Sequence, residues 1–328
     1  MRPSPDPGIL SRAQGCLLGQ LAGDSLGSLV EFQSPEEILR KYPHGVRELA
    51  DGGTWGTLAG QPTDDSEMAL MLARMLVKHR RYDPKEARKA YVFWLNSAPF
   101  DCGATVSTGL GGKPNTDSQA NGALMRISPL GIFGANYDLA KVSDWAQQDA
   151  ALTHPHPVCL HANALFAMAI ADAIGTGKNA QEIYDQIRNW AMEMRIGAPL
   201  MKAIVDASTS PPSDFLHLQG WVLIGFQNAL WQLLHAPSLK KGVVDTVMRG
   251  GDTDTNAAIA GALLGAVYGR EAVPAEWQDK LLNCRPEAGR RHVRQPRPQC
   301  FWPVDALDLA MSLVAGVGDD PEFSRPEH

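Results

Sequence analysis

Basic charge, paired cysteines, membrane-length apolar runs and strand patterning are what this sequence has least of. Against 36 Asp and Glu stand 30 Lys and Arg, a net charge of −6 over 328 residues. That balance argues against a nucleic-acid partner, whose footprint is a basic excess. The five cysteines (Cys16, Cys102, Cys159, Cys284 and Cys300) are scattered and form no CxxC pair. A disulfide scaffold and a zinc ribbon are thereby excluded, and a reducing compartment fits better. The N-terminus, MRPSPDPGIL, lacks the charged-then-apolar pattern of a signal peptide. No apolar run is expected to reach the roughly 18–20 residues of a membrane span. The nearest is 257–268, directly behind Asp252 and Asp254. The reading is a cytoplasmic protein without a membrane partner. Alternating strand patterns of useful length are nearly absent. The 44% hydrophobic content is ample for a core and excludes broad disorder.

What is present is helical spacing. Residues 1–9 hold three prolines and read as a flexible arm, set at 1–10, with Ser11 the expected N-cap of the first helix. One all-α domain is expected over 11–316, followed by a flexible tail at 317–328. Helices are predicted over 66–78, 84–95, 139–150, 158–174, 180–194, 221–234 and 304–314. Two segments carry a glycine every fourth residue: Gly15, Gly19, Gly23 and Gly27, then Gly261, Gly265 and Gly269. Glycine costs a helix about 1 kcal/mol against alanine, so a stripe of them calls for close backbone approach. The two striped helices are expected to lie near each other.

Two acidic clusters carry the chemistry. Thr63-Asp64-Asp65 follows Pro62 at the head of a helix, where one Asp would be an ordinary cap. Two adjacent carboxylates repel unless a cation lies between them. Gly250-Gly251-Asp252-Thr253-Asp254-Thr255-Asn256 opens the second striped helix. An EF-hand loop starting at Asp252 would need Gly at its sixth position and Glu at its twelfth; Ala257 and Leu263 stand there. Together the clusters supply four carboxylates and several hydroxyls, hard donors that favour Mg²⁺, Mn²⁺ or Ca²⁺ over zinc. They suffice to bridge two divalent ions, which jointly orient water and polarise substrate oxygens. Weaker single signals are Asp24, Glu31, Asp101, and His154 and His156 of THPHP; a histidine in a Pro-rich turn is more often structural or solvated.

Five segments taken together, GCLLGQLAGDSLGSLVEF (15–32), PTDDSEMAL (62–70), NGALMRISPLGIF (121–133), LTHPHP (152–157) and GGDTDTNAAIAGALLGA (250–266), resemble the ADP-ribosylglycohydrolase family. Within it the chain is most similar to the dinitrogenase-reductase-activating, ADP-ribosylarginine-hydrolase branch. The resemblance implies a compact all-α fold, a dinuclear centre of two Mg²⁺ or Mn²⁺, an ADP-ribosylated protein as substrate and ADP-ribose as product. It implies metal ligation by Thr63, Asp64 and Asp65 at one ion and by Asp252 and Thr255 at the other, with Asp254 bridging. Glu31 would reach or gate the metal site. Glu31, Asp65 and Asp101 are the implied catalytic group, Asp101 also holding a modified arginine. Asn121, Gly122, Ala123, Met125 and His154 would contact substrate. The sequence departs from the branch at Ala104, where DCGAT replaces DIGNT, and at Ser66, where Thr is frequent.

Cleavage at the anomeric carbon builds oxocarbenium-like charge on the ribose, and a carboxylate, Glu31 or a metal-linked aspartate, must move the proton. The pyrophosphate needs N–H donors, for which Gly109-Leu110-Gly111-Gly112 is a weak candidate. Residues 285–297 carry five arginines, readable as a solvated loop or as a contact for a charged partner or the substrate's phosphates. Other readings stay open: serine-linked or small-molecule conjugates such as O-acetyl-ADP-ribose, nucleic-acid ends, a non-catalytic ADP-ribose binder, or another metal hydrolase such as a phosphoesterase.

Overall fold

Asp6 starts the ordered chain. Its carboxylate accepts from the N–H groups of Gly8 and Ile9 at 2.8 and 3.1 Å, and Pro7 occupies the first helical position, where its missing N–H costs nothing. The first helix, α1 (Pro7–Gly27), therefore begins four residues ahead of Ser11. Ser11 lies inside the helix and donates instead to Glu271 at 2.5 Å. The expected arm at 1–10 is corrected to this extent. The computed structural model describes residues 6–315, so residues 1–5 and the expected tail at 317–328 lie outside the described residues.

After α1 come α2 (Pro35–Lys41), α3 (Asp64–His79), α4 (Pro84–Leu95), α5 (Ala104–Leu110), α6 (Ser128–Gly134), α7 (Leu139–Ala151) and α8 (Pro157–Thr176). The second half holds α9 (Ala180–Glu193), α10 (Ala198–Asp206), α11 (Val222–His235), α12 (Leu239–Met248), α13 (Thr253–Tyr268), α14 (Ala275–Asn283) and α15 (Ala306–Val314). Among the described residues no strand forms. Two isolated bridges, Gly52 to Thr57 and Ala120 to Trp221, are the nearest approach to a sheet. The fold is all-α and a single domain. The five cysteines are free thiols.

The two glycine-striped helices, α1 and α13, form the centre. They run antiparallel in backbone contact. A Cβ at Gly19 would sit 2.1 Å from the carbonyl oxygen of Gly261, and one at Gly23 would sit 2.1 Å from that of Ala257. At the ends of the pair, Gly15 meets Gly265 and Gly269, and Gly27 meets Asp254. No side chain fits in such a gap, which is why helix-weakening glycines stand there. The antiparallel sense brings the C-terminal end of α1 to the N-terminal end of α13. There the Thr253 hydroxyl donates to the Gly27 carbonyl at 2.8 Å, satisfying one of the acceptors a helix end leaves open.

One expectation about apolar length is overturned. α8, 20 residues long, is long and apolar enough by composition to cross a membrane. Polar Asn163 and Asp172 had hidden this run. Seventy-eight percent of its apolar 18-residue window is buried inside the protein, and α6, α7 and α13 pack against the helix, as befits the core helix of a globular domain.

Candidate active site

Asp24, on the last turns of α1, is fully buried and organises the first acidic cluster. Its carboxylate accepts from the Thr63 N–H at 3.2 Å, from the Thr63 hydroxyl at 2.9 Å and from the Ser66 N–H at 3.1 Å. It thus caps the N-terminus of α3 from outside, and the side chains of Asp64 and Asp65 are left to face elsewhere. Nearby, Gln20 of α1 donates to the Met125 carbonyl at 2.9 Å and accepts from the Ser128 hydroxyl. One helix therefore fixes both the head of α3 and the 121–128 turn.

The second cluster is brought in by a glycine pair. Gly250 and Gly251 both have φ near +74°, a conformation L-residues with a Cβ rarely adopt. Gly251 exchanges backbone hydrogen bonds with the 32–33 segment: its carbonyl accepts from Phe32 at 2.8 Å and its N–H donates to Gln33 at 3.0 Å. That pairing sets Glu31 beside Asp252 and Asp254. Ligand oxygens of Glu31, Asp101 and Asp254 all lie within 4.8 Å of one another.

These elements enclose a cleft of about 290 Å³, near the lower end of the roughly 300–1,000 Å³ typical of ligand pockets. Glu31, Asp64, Asp101, Asp252 and Thr255 line it. Asp65 and Asp254 are buried just behind, close enough that each raises the cost of charge on its neighbours. The Thr255 hydroxyl serves both Asp65 and Asp252. Thr63 is fully buried, its hydroxyl 2.9 Å from both Asp24 and Asp65. The expected metal ligands are therefore assembled in one place, with Thr63 turned toward two carboxylates.

Burial dominates the electrostatics. It pushes the Glu31 carboxyl up to about 8, with Asp101 and Asp252 adding repulsion. It pushes Asp24 to about 7 and Asp101 to about 6. Asp64, Asp65 and Asp254 are raised well above the usual carboxylate range by burial and by one another. Burial raises Asp252 too, opposed by Asn121, which donates to it at 2.6 Å, and by Thr255. Among the described residues no Lys, Arg or His forms an ion pair with any of these carboxylates. Asp65 Oδ1 and Asp254 Oδ2 are buried with no hydrogen-bond partner at all. Buried carboxylates without compensation are costly. An all-oxygen donor set in this state fits hard divalent cations.

The expected substrate-contact residues divide. Gly122, Met125 and His154 line the cleft, whereas Ala123 is fully buried and does not. Asn121 lines it too, but its amide is spent on Asp252. His154 is fully buried, and burial, aided by Arg126, lowers it to about 3, so it is neutral. Its Nδ1 pairs with the Thr153 hydroxyl at 2.7 Å while Nε2 has no partner. His156, by contrast, accepts from the Val158 N–H at 3.2 Å and caps α8. Gly109 and Leu110 close the C-terminal end of α5, with Gly109 against Thr153. The opposite end, Gly103 to Val106, lines the cleft, and the glycine run does not.

Three supporting groups had no sequence signal for the role they play. Trp55 donates through Nε1 to Glu31 Oε2 at 2.6 Å, and its ring lies 6.1 Å from Phe100, the residue before Asp101. Behind the 121–126 turn, Arg126 is fully buried, pairs with Asp149 at 3.2 Å, donates to the Gly122 carbonyl and covers the Tyr91 ring. Tyr91 also donates to Asp149 at 3.0 Å. Third, Arg297 makes two 2.8 Å bonds to Glu67 and donates to the Ser97 and Ala98 carbonyls, anchoring the segment ahead of Asp101. Arg297 is thus buried structure rather than part of a solvated or partner-facing arginine run.

The ADP-ribosylglycohydrolase family model matches residues 5–312, nearly the whole described chain. The chain belongs to the ADP-ribosylglycohydrolase family. It is 30% identical over 285 residues to the ADP-ribosyl-[dinitrogen reductase] glycohydrolase of Rhodospirillum rubrum, covering 84% of this chain and 92% of that protein. It is 26% identical over 325 residues to the ADP-ribosylarginine hydrolase Tri1 of Pseudomonas putida (strain GB-1), covering 94% of this chain and 82% of that one. A solved ADP-ribosylglycohydrolase-related protein complex shares the fold with a TM-score of 0.75 at 24% identity, over 93% of this chain and 97% of its own. For an ADP-ribosylglycohydrolase, the acid-lined cleft at the junction of α1, α3 and α13 is the candidate active site.

Proposed function

We propose that this ADP-ribosylglycohydrolase is a metal-dependent hydrolase that removes ADP-ribose from modified protein side chains, with arginine the preferred acceptor. Two Mg²⁺ or Mn²⁺ ions are the proposed cofactors, and free ADP-ribose is the product. The observation that carries this reading is the uncompensated carboxylate array, above all the orphaned Asp65 Oδ1 and Asp254 Oδ2. Thr63, Asp64, Asp65, Asp252, Asp254 and Thr255 would hold the ions. When bound, hard divalent cations neutralise such a set and act as Lewis acids toward substrate oxygens.

The chain's own groups supply the rest. Glu31 lines the cleft with Oε2 fixed by Trp55, in place to take a proton from water or give one to the leaving nitrogen. The scissile bond joins the anomeric carbon to that nitrogen, and its cleavage places positive charge on the sugar. Negative groups lining the cleft stabilise that charge. Asp101, half-buried at the cleft edge, would pair with the acceptor guanidinium in a charge-assisted contact. Neutral His154 and the Gly122 backbone form a wall against which the substrate packs. The name of the Pseudomonas putida relative, an ADP-ribosylarginine hydrolase, supports an arginine acceptor. Five free thiols suit the cytoplasm, where we place the activity.

The test is release of ADP-ribose from ADP-ribosyl-arginine, with and without EDTA, and with Mg²⁺ or Mn²⁺ restored. EDTA should abolish release and either metal should restore it. Full activity in EDTA would overturn the metal reading. Faster cleavage of an ADP-ribosyl-serine peptide than of the arginine conjugate would overturn the acceptor.

A further inference from the structure

The segment between α14 and α15 leaves four arginines in solvent, and it is tied through Trp55 to the candidate active site. Arg285, Arg290, Arg291 and Arg294 are exposed, and none forms an ion pair with a carboxylate. Residues 285–297 hold a single acidic residue, Glu287. A surface depression of about 280 Å³ collects Arg285, Arg290, Arg291 and Lys280, with Asp51 and Asp279 the acids facing it. Both acids are already engaged: Asp51 accepts from the Ala59 N–H and Asp279 from Asn283.

The segment is held to the 55–61 loop. Gln295 donates to the Trp55 carbonyl at 3.1 Å and accepts from Gln61 at 2.7 Å. The Arg294 side chain packs over Gly56. Trp55 in turn holds Glu31. Arg297 pins the far end through Glu67. A basic loop is thereby fixed, through Trp55, one residue away from Glu31, which lines the cleft.

This placement opposes the rest of the molecule, which is net negative and whose cleft is acidic. An acidic surface approaching that cleft is repelled unless a basic site beside it compensates. We propose that the 285–294 arginines dock an acidic surface of the ADP-ribosylated protein substrate, seating the modified side chain at the cleft. The proposal rests on the reading of the protein as an ADP-ribosyl-protein hydrolase. A nucleic acid is the poorer occupant, because four arginines in one loop make a spot rather than a track and a longer polyanion would run onto the acidic cleft.

The test uses two peptides, each with one ADP-ribosylated arginine, flanked in one by Asp and Glu and in the other by Ser. R290E/R291E changes exposed residues only, so its melting temperature should match the parent's. The parent enzyme should show at least a fivefold lower KM for the acidic peptide, with kcat equal for both. That preference should vanish in R290E/R291E and in 0.5 M NaCl, while turnover of free ADP-ribosyl-arginine stays unchanged. Equal KM values for the two peptides in the parent would overturn the proposal. So would equal loss on free ADP-ribosyl-arginine, which would put the arginines on the substrate's own phosphates. Fluorescence anisotropy with the labelled, unmodified acidic peptide reads docking without turnover. If the parent hydrolyses neither conjugate, the function reading fails and anisotropy alone decides the docking. No R290E/R291E-sensitive binding, or tighter binding of a single-stranded oligonucleotide than of the peptide, overturns it.

Discussion

The indole N–H of Trp55 donates to Glu31 Oε2 across 2.6 Å, tying a glycine-rich surface loop to the carboxylate best placed to move a proton. A hydrogen bond to the ionised form of that carboxylate, the form that accepts the proton, is worth about 1.5–3 kcal/mol. Trp55→Phe keeps the ring against Phe100 and removes only the donor. Its kcat should fall about tenfold to a hundredfold, with KM changed less than threefold or so. Steady-state kinetics on ADP-ribosyl-arginine checks this, and an unchanged kcat would release Trp55 from any positioning role.

Asp254 sits where repulsion from Glu31, Asp65, Asp252 and Asp101 converges. Asp254→Asn should therefore raise the melting temperature of the metal-free protein. It should also abolish most of the increase that Mg²⁺ or Mn²⁺ gives the parent, since ligand binding to the folded state alone stabilises it. Differential scanning fluorimetry with EDTA and with added metal separates the two effects. Lower stability in EDTA together with an intact metal response would show that Asp254 is not a ligand.

Asp101 distinguishes acceptors. A carboxylate beside a guanidinium gains charge-assisted hydrogen bonds that a serine acceptor cannot offer. Asp101→Asn should lower kcat/KM on the arginine conjugate about tenfold to a hundredfold more than on a serine conjugate. Equal losses would place Asp101 on water or ribose instead.

His154 gives an acid-side stability signature. Burial lowers it from 6.5 to about 3 in the folded state, so below pH 6.5 the unfolded chain takes up a proton that the folded one refuses. Stability from this source is complete above pH 6.5 and is lost as pH falls from there toward 3. At pH 5 the loss is about 2 kcal/mol. His154→Gln removes the term. Denaturant unfolding at pH 7.5 and pH 5.0 should show the parent losing about 2 kcal/mol more than the variant. Identical losses would mean that His154 is protonated in the folded protein.

Local pattern was readable and distant contact was not. The four-residue glycine spacing announced the α1–α13 contact because helical period and residue size are both local. The runs TDD and GDTDTN announced the acidic site for the same reason. The helix start was misplaced because Ser11 resembles a cap, whereas Asp6-Pro7 satisfies two N–H groups and needs no third. Short helices such as α5 (ATVSTGL) and α12 (LKKGVVDTVM) escaped because β-branched and small residues blur a helical pattern over so few turns. Asn121 was legible as a site residue but not as the donor to Asp252, and Trp55 escaped altogether: each acts on a carboxylate far away in the chain, Asp252 and Glu31. No spacing rule connects such pairs. Arg126 was masked by the very segment that marked the family, since nothing in NGALMRISP says that the arginine turns inward to Asp149.

The side-chain-free seam between α1 and α13 works as a gauge. Peptide groups meet peptide groups there, so the separation has no rotamers through which to relax. Asp24 rides on one helix and Asp254 on the other, and the span between the two acidic clusters inherits that fixed thickness. A single methyl at Gly23 or Gly27 cannot be absorbed: it widens the seam and passes directly into the spacing of the carboxylates.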